Sequence, residues 1–157
     1  MAEVISQKIR EALGGLVGGK QYRYDRRITV QVSVSIAANQ PVNSALVPSF
    51  VIDPKAGSVS SYTIPKGYRF VLVDAYIRSS SDAPVDGLLR LKRNFYEESV
   101  IIGPISTMLV SNPTRPAVSP KAWEEGDTLT MEFNNYSSPT AATTDTIFLV
   151  FDVYTAQ

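Results

Sequence analysis

From residue 28 onward, apolar and polar side chains alternate along the chain, as in a strand that buries one face. The apolar positions of the clearest alternation are Ile28, Val30, Val32, Val34 and Ile36. Further strand-like runs, separated by Gly, Pro, Ser and Asn turn residues, cover residues 45–52, 58–64, 68–78, 87–96, 99–110, 127–136 and 145–155. About eight strands predict an all-β fold, either a single antiparallel β-sandwich or a jelly-roll barrel.

Residues 2–17 have a different period. Their large apolar side chains recur at intervals of four, four and three residues, which places them on one face of an amphipathic helix. These side chains are Ile5, Ile9, Leu13 and Leu16. A helix with one narrow apolar stripe is marginal alone in water, so it needs a surface to lie on. Acidic residues on its polar face, Glu3 and Glu11, argue against a membrane surface. We therefore expect an N-terminal arm that lies either on its own domain or on a neighbouring subunit.

A basic stretch with interleaved tyrosines, residues 20–27, lies between the arm and the first strand. Cations and stacking rings together can grip single-stranded nucleic acid, so Arg23, Arg26 and Arg27 are candidate contacts for nucleic acid or another partner. The alternative is a solvated lead-in to the strand, which we favour because nucleic-acid-binding domains usually carry a larger basic patch. The predicted division is an N-terminal helical arm and basic lead-in, residues 1–27, and a β-sandwich body, residues 28–157.

Composition excludes several kinds of chemistry. The 157 residues include no cysteine and no histidine, which excludes disulfides, thiolate or imidazole metal sites, cysteine nucleophiles and Ser-His-Asp triads. The acidic pairs Glu97-Glu98 and Glu124-Glu125 are adjacent residues, which point to opposite faces of a strand and form no ready glycosidase pair. We therefore expect no enzymatic activity, no metal and no cofactor.

Charge is distributed unevenly although the formal net charge is zero. Residues 1–93 hold 13 basic and 7 acidic side chains, whereas residues 94–157 hold 2 basic and 8 acidic ones. Two interpretations stay open. The fold can interleave the halves and cancel the asymmetry, or the molecule can carry two faces of opposite sign that steer assembly.

Three aromatic residues near predicted strand ends, Tyr96, Trp123 and Tyr136, are candidates for a glycan-binding platform. Such a platform would make the chain a carbohydrate-binding sandwich. A single Trp just before a strand is more often a plug in the core or at its edge, and both interpretations of Trp123 stay open.

A series of turns and strands covers roughly residues 60–155. It begins with Tyr-Thr-Ile-Pro-Lys-Gly at residues 62–67, where Pro and Gly favour a tight turn. It continues with an apolar strand over 68–77, which is followed by three Ser residues at 79–81. Next come the turn sequence Glu-Gly-Asp-Thr-Leu at 125–129 and a C-terminal strand over 146–154. This order resembles small, jelly-roll-like structural proteins of virus particles, such as the capsid, turret or capsid-decoration proteins of bacterial or archaeal viruses.

The resemblance implies a non-enzymatic virion protein that is made in the host cytoplasm. Its expected partners are copies of itself, in a trimer or larger ring, and other capsid subunits. Nucleic acid and membrane are not expected partners. The alternative is a carbohydrate- or receptor-binding β-sandwich module, such as a viral spike or fibre head.

Overall fold

The computed structural model describes residues 16–17, 20–95 and 97–157. Two single-turn 3-10 helices, Ser80–Asp82 and Ile105–Thr107, accompany the strands, and the described part of the chain contains no α-helix. The strands are β1 (Leu16–Val17), β2 (Lys20–Ile36), β3 (Ala45–Leu46), β4 (Ser49–Val51), β5 (Ser61–Thr63), β6 (Tyr68–Tyr76), β7 (Gly87–Arg93), β8 (Glu97–Ile102), β9 (Lys121–Trp123), β10 (Thr128–Asn135) and β11 (Thr143–Ala156). Within these ranges no helix is long and apolar enough to cross a membrane.

The strands form two antiparallel sheets. The first has six strands, in the order β1–β2–β11–β6–β9, with β4 also paired to β2. The second has five strands, in the order β3–β10–β7–β8, with β5 also paired to β10. The predicted all-β sandwich is therefore confirmed, with more strands than the prediction of about eight.

The added strands have identifiable causes. The run predicted over 45–52 divides into β3 and β4, which pair with β10 and β2 respectively. Pro48 lies at the division and has no N–H to donate to a ladder. β9 is three residues long and follows a Pro-rich segment, so it has too few residues for a recognisable period.

β2 is longer than predicted. It begins at Lys20 rather than Ile28, so the basic lead-in forms its first part and pairs with the end of β11. Residues 23–27 are exposed, and the hydrophobic pattern therefore carries no sign of this extension. β2 runs continuously through the division predicted between residues 27 and 28.

The predicted helix over 2–17 lies mostly outside the described residues, together with its anchors Ile5, Ile9 and Leu13. Its last two residues are described, and there the prediction of helix is wrong. Leu16 pairs with Gln21 and Val17 with Lys20, as strand β1. Backbone pairing with an available sheet edge outweighs the helical spacing of a single apolar residue at this position.

The core lies between the two sheets. β11 contributes alternate residues from Ile147 to Val153, each fully buried, and β2 contributes the alternation predicted from the sequence. The second sheet contributes Leu89 and Leu91 from β7 and Met131 and Phe133 from β10. The intervening residues of β7 and β10 face outward, so this alternation produces a second, polar face on the same two strands.

Candidate functional site

The three predicted basic contacts lie on the exposed first part of β2. The Arg27 guanidinium donates hydrogen bonds to both carboxylate oxygens of Asp152. Its Nε lies 2.8 Å from Oδ1, and its Nη2 lies 3.2 Å from Oδ2. Hydrogen bonding to Asp152 and its negative charge raise the pKa of Arg27. Arg26 donates to Asp25 at 3.0 Å. Two of the three arginines are thus paired within the chain, which favours the lead-in interpretation over a nucleic-acid contact.

Ion pairs connect the two oppositely charged parts of the sequence. Among the described residues, pairs that join a residue before position 94 to one after it include Arg27–Asp152, Arg69–Glu124, Lys92–Glu132 and Asp74–Arg115. Three of them bring a basic residue of the first part to an acidic residue of the second. The charge asymmetry is therefore partly cancelled inside one subunit, as the interleaved interpretation expects.

The aromatic platform does not form as predicted. Trp123 is fully buried, which excludes it as a surface platform. Its ring packs edge-to-face on Phe151, with centroids 6.0 Å apart, and its indole N–H donates to the backbone oxygen of Lys92 at 3.3 Å. β9 places this side chain inside the sandwich, where it packs as part of the hydrophobic core. Tyr96 lies outside the described residues, and Tyr136 is exposed.

Tyr136 borders a polar concave surface on the outer face of the second sheet, which we call the outer groove. The groove encloses about 400 Å³ and is lined by Asn43, Leu88, Arg90, Lys92, Glu132, Asn134 and Tyr136. Its floor consists of the outward residues of β7 and β10, two strands that pair over seven residue positions. The sequence predicts both strands and their outward faces, but not that these two strands are neighbours.

The floor side chains hold one another in place. Arg90 Nε donates to Asn134 Oδ1 at 2.6 Å, and Asn134 Nδ2 donates to the backbone oxygen of Ser44 at 3.2 Å. Lys92 Nζ lies 3.4 Å from Glu132 Oε1, and each of these two side chains is only 27% exposed. The groove therefore presents donors and acceptors whose rotamers are already restricted.

A buried asparagine supports one end of the groove. Asn135 is fully buried, and its Oδ1 accepts a hydrogen bond from Ser44 N at 3.0 Å. Its Nδ2 donates to the backbone oxygens of Pro41 at 3.0 Å and Ser137 at 2.9 Å. One side chain thus joins the turn that carries Asn43 to the residues that carry Tyr136. Sequence reasoning missed this role, although an Asn at an inward position of β10 is a usable signal.

We expect Asn135→Ala to lower the free energy of unfolding by about 2 to 3 kcal/mol, because it removes three hydrogen bonds of a fully buried side chain and takes this partner from Ser44 N and Ser137 O. Urea titration followed by circular dichroism measures the change. Ser138→Ala, at an exposed position in the next turn, is the matched control and changes stability little. Equal stability of the two variants would contradict the role assigned to Asn135.

A second buried polar residue, Asp145, lies at the start of the core-facing row of β11 and is fully buried. Its Oδ1 accepts from Val85 N at 3.2 Å, and its Oδ2 is buried without a partner among the described residues. Burial raises the pKa of Asp145 to about 7, and the nearby Asp86 carboxylate acts in the same direction. Because the side chain is inaccessible to solvent, it cannot contact a substrate, and its effect is on stability.

In the described ranges no three acidic side chains gather closely enough to hold a metal ion. Comparison with known proteins adds no identification, since no protein-family model and no curated protein matches the chain.

Proposed function

We propose that the protein is a non-enzymatic structural subunit of a virus particle, a capsid or capsid-decoration protein with a jelly-roll body. The strand order is the observation that carries this proposal. From β2 to β7 the chain changes sheet at every step, β8 stays beside β7, and β9, β10 and β11 change sheet again. This alternation, with β11 inserted between β2 and β6, supports a double-sheet jelly roll, an architecture that viral capsid proteins, lectins and cupins share.

The side chains that the sequence contains narrow the choice among capsid proteins, lectins and cupins. A cupin would hold its metal through histidines, and the sequence has none. The fully buried carboxyl of Asp145 offers no accessible catalytic group. A protein whose work is assembly needs surfaces that bury against neighbours, and the structure has a suitable one along β8.

β8 is an outer strand of the second sheet and pairs with β7 alone among the described strands. Ile101 on β8 is 52% exposed. A cleft between β8 and residues 116–119 encloses about 210 Å³. An exposed edge strand with apolar side chains is a liability in a monomer and a natural contact in an assembly.

The edge strand β1 and the β8 edge lie on opposite sides of the described body. The arm precedes β1, which pairs with β2 at one edge of the first sheet. β2 contacts β3 across the sandwich, whereas β8 is at the other end of the second sheet. An arm from one subunit that docks on the β8 side of the next makes a head-to-tail contact, which closes into a ring when the rotation permits.

Disrupting the arm tests this proposal. In the full-length chain, we expect the combined substitutions Ile5→Asp, Ile9→Asp and Leu13→Asp to convert an oligomer into a folded monomer, because three apolar anchors are lost. Light scattering measures the mass and circular dichroism the β-structure. The control Glu3→Gln with Glu11→Gln alters the other face of the predicted helix and keeps the oligomer. A monomeric wild type, or an oligomer unaffected by the three substitutions, would overturn the proposed assembly.

A further inference from the structure

We propose that the outer groove is a carbohydrate-binding site, a function that goes beyond assembly. A sugar offers hydroxyl groups that both donate and accept hydrogen bonds, together with a weakly apolar face of C–H groups. A site for it therefore combines fixed polar side chains of both kinds with an aromatic ring. The outer groove has this combination, and its members come from three separate parts of the chain.

The floor supplies donors and acceptors side by side. Arg90 and Lys92 are donors on β7, and Glu132 and the Asn134 amide provide acceptors on β10. The contacts among these four side chains, 2.6 Å for Arg90–Asn134 and 3.4 Å for Lys92–Glu132, keep them in position before any ligand arrives. A ligand then loses less free energy to side-chain ordering than it would on a surface of mobile side chains.

The ring comes from Tyr136, which is 42% exposed at the border of the groove. Its backbone N–H donates to the backbone oxygen of Asp86 at 2.9 Å, and the preceding residue is the fully buried Asn135. The ring is therefore mounted on a fixed backbone while one part of it remains open to solvent. That arrangement suits stacking on a sugar.

Size and charge argue for a saccharide rather than nucleic acid. The volume of about 400 Å³ is within the range of small-molecule sites, roughly 300–1,000 Å³, and suits one or two sugar rings. The floor carries two cations and one carboxylate, far fewer positive charges than a phosphate-backbone footprint requires. Leu88 is the one aliphatic lining residue, so the groove is not an apolar docking surface.

The test uses the full-length protein on an array of neutral, N-acetylated and sialylated oligosaccharides, followed by calorimetric titration with the best binder. We expect Tyr136→Ala to weaken binding roughly three- to tenfold, as loss of one aromatic contact predicts. Glu132→Gln keeps the shape of the floor and is expected to weaken the same titration by a similar factor.

Tyr24→Ala is the matched control, since Tyr24 is 48% exposed but lies on β2 of the other sheet. It leaves glycan binding unchanged. Absence of binding to every oligosaccharide on the array would overturn the proposal, as would equal affinities for the wild type and Tyr136→Ala. Because binding and oligomer mass are measured separately, failure of this site leaves the assembly proposal intact.

Discussion

Asp145→Asn makes the protein more stable at pH 8 and removes most of the pH dependence of stability that we expect for the wild type between about pH 4 and pH 8. The cause is the difference in pKa between states, about 7 for the buried carboxyl in the folded protein against 3.8 for its ordinary value. Well below pH 4 the group is neutral in both states and has no effect on stability. As the pH rises, the Asp145 carboxyl ionises freely in the unfolded chain. In the folded protein the same carboxyl must either stay protonated or carry a buried charge.

The wild type therefore loses stability progressively from about pH 4 to pH 7, and the loss levels off above pH 7. A shift of about three pKa units corresponds to a penalty of about 4 kcal/mol at pH 8. Asn avoids this penalty because it cannot ionise, and its Oδ1 can still accept the hydrogen bond from Val85 N. The expected gain at pH 8 is several kcal/mol, reduced by whatever the new amide loses through an unpaired donor.

Urea denaturation of wild type and Asp145→Asn at pH 4, 5, 6, 7 and 8 measures this effect. Asp53→Asn is the control, because Asp53 is exposed and an Asn there can still accept from Lys55 N. Its stability should follow the wild-type pH profile. Parallel profiles for wild type and Asp145→Asn would show that the carboxyl does not resist ionisation in the folded state.

Trp123→Ala is expected to destabilise the protein by about 3 to 5 kcal/mol, as removal of a fully buried large aromatic side chain usually does. The substitution leaves a cavity beside Phe151 and removes the indole hydrogen bond to the Lys92 backbone oxygen. Because β9 has three residues, it has few other contacts that could compensate. We expect the edge of the first sheet to lose order first.

Urea titration of the Trp123→Ala variant by circular dichroism measures the loss. Trp123→Phe keeps most of the packing and is expected to lose less stability. In the wild type, this single Trp should emit at short wavelength and resist quenchers until the protein unfolds. A Trp123→Ala variant of unchanged stability would contradict the core role. If it also lost glycan binding, the surface-platform interpretation would be correct instead.

The hydrophobic pattern predicted the fold where one face of a strand is buried. The alternation from Ile28 to Ile36 is found as the core side of β2. It failed where backbone pairing occurs without burial, as in residues 23–27, whose side chains are exposed although this part of β2 pairs with β11. It also failed at Leu16, where a strand pairing with Gln21 replaces the predicted end of a helix.

The candidate site was predictable in its parts but not as a whole. Glu132 and Asn134 lie at outward positions of a predicted strand, and so do Arg90 and Lys92. Nothing in their spacing shows that they meet, because β7 and β10 are more than thirty residues apart in sequence. Trp123 shows the reverse case, since the sequence left its burial open and the position of β9 decided it.

The sequence by itself determined which reactive side chains the protein has and where its side chains alternate with the period of a strand. It excluded histidine and cysteine sites, and its alternation predicted an all-β fold, either a sandwich or a barrel, because a pleated strand exposes successive side chains on opposite faces. The tertiary structure alone decided which strands are neighbours. Those pairings buried Asp145, joined the basic first part of the chain to the acidic second part, and placed Tyr136 beside the polar floor of the outer groove. Contacts of this kind depend on loop closure between distant segments, which local periodicity does not encode.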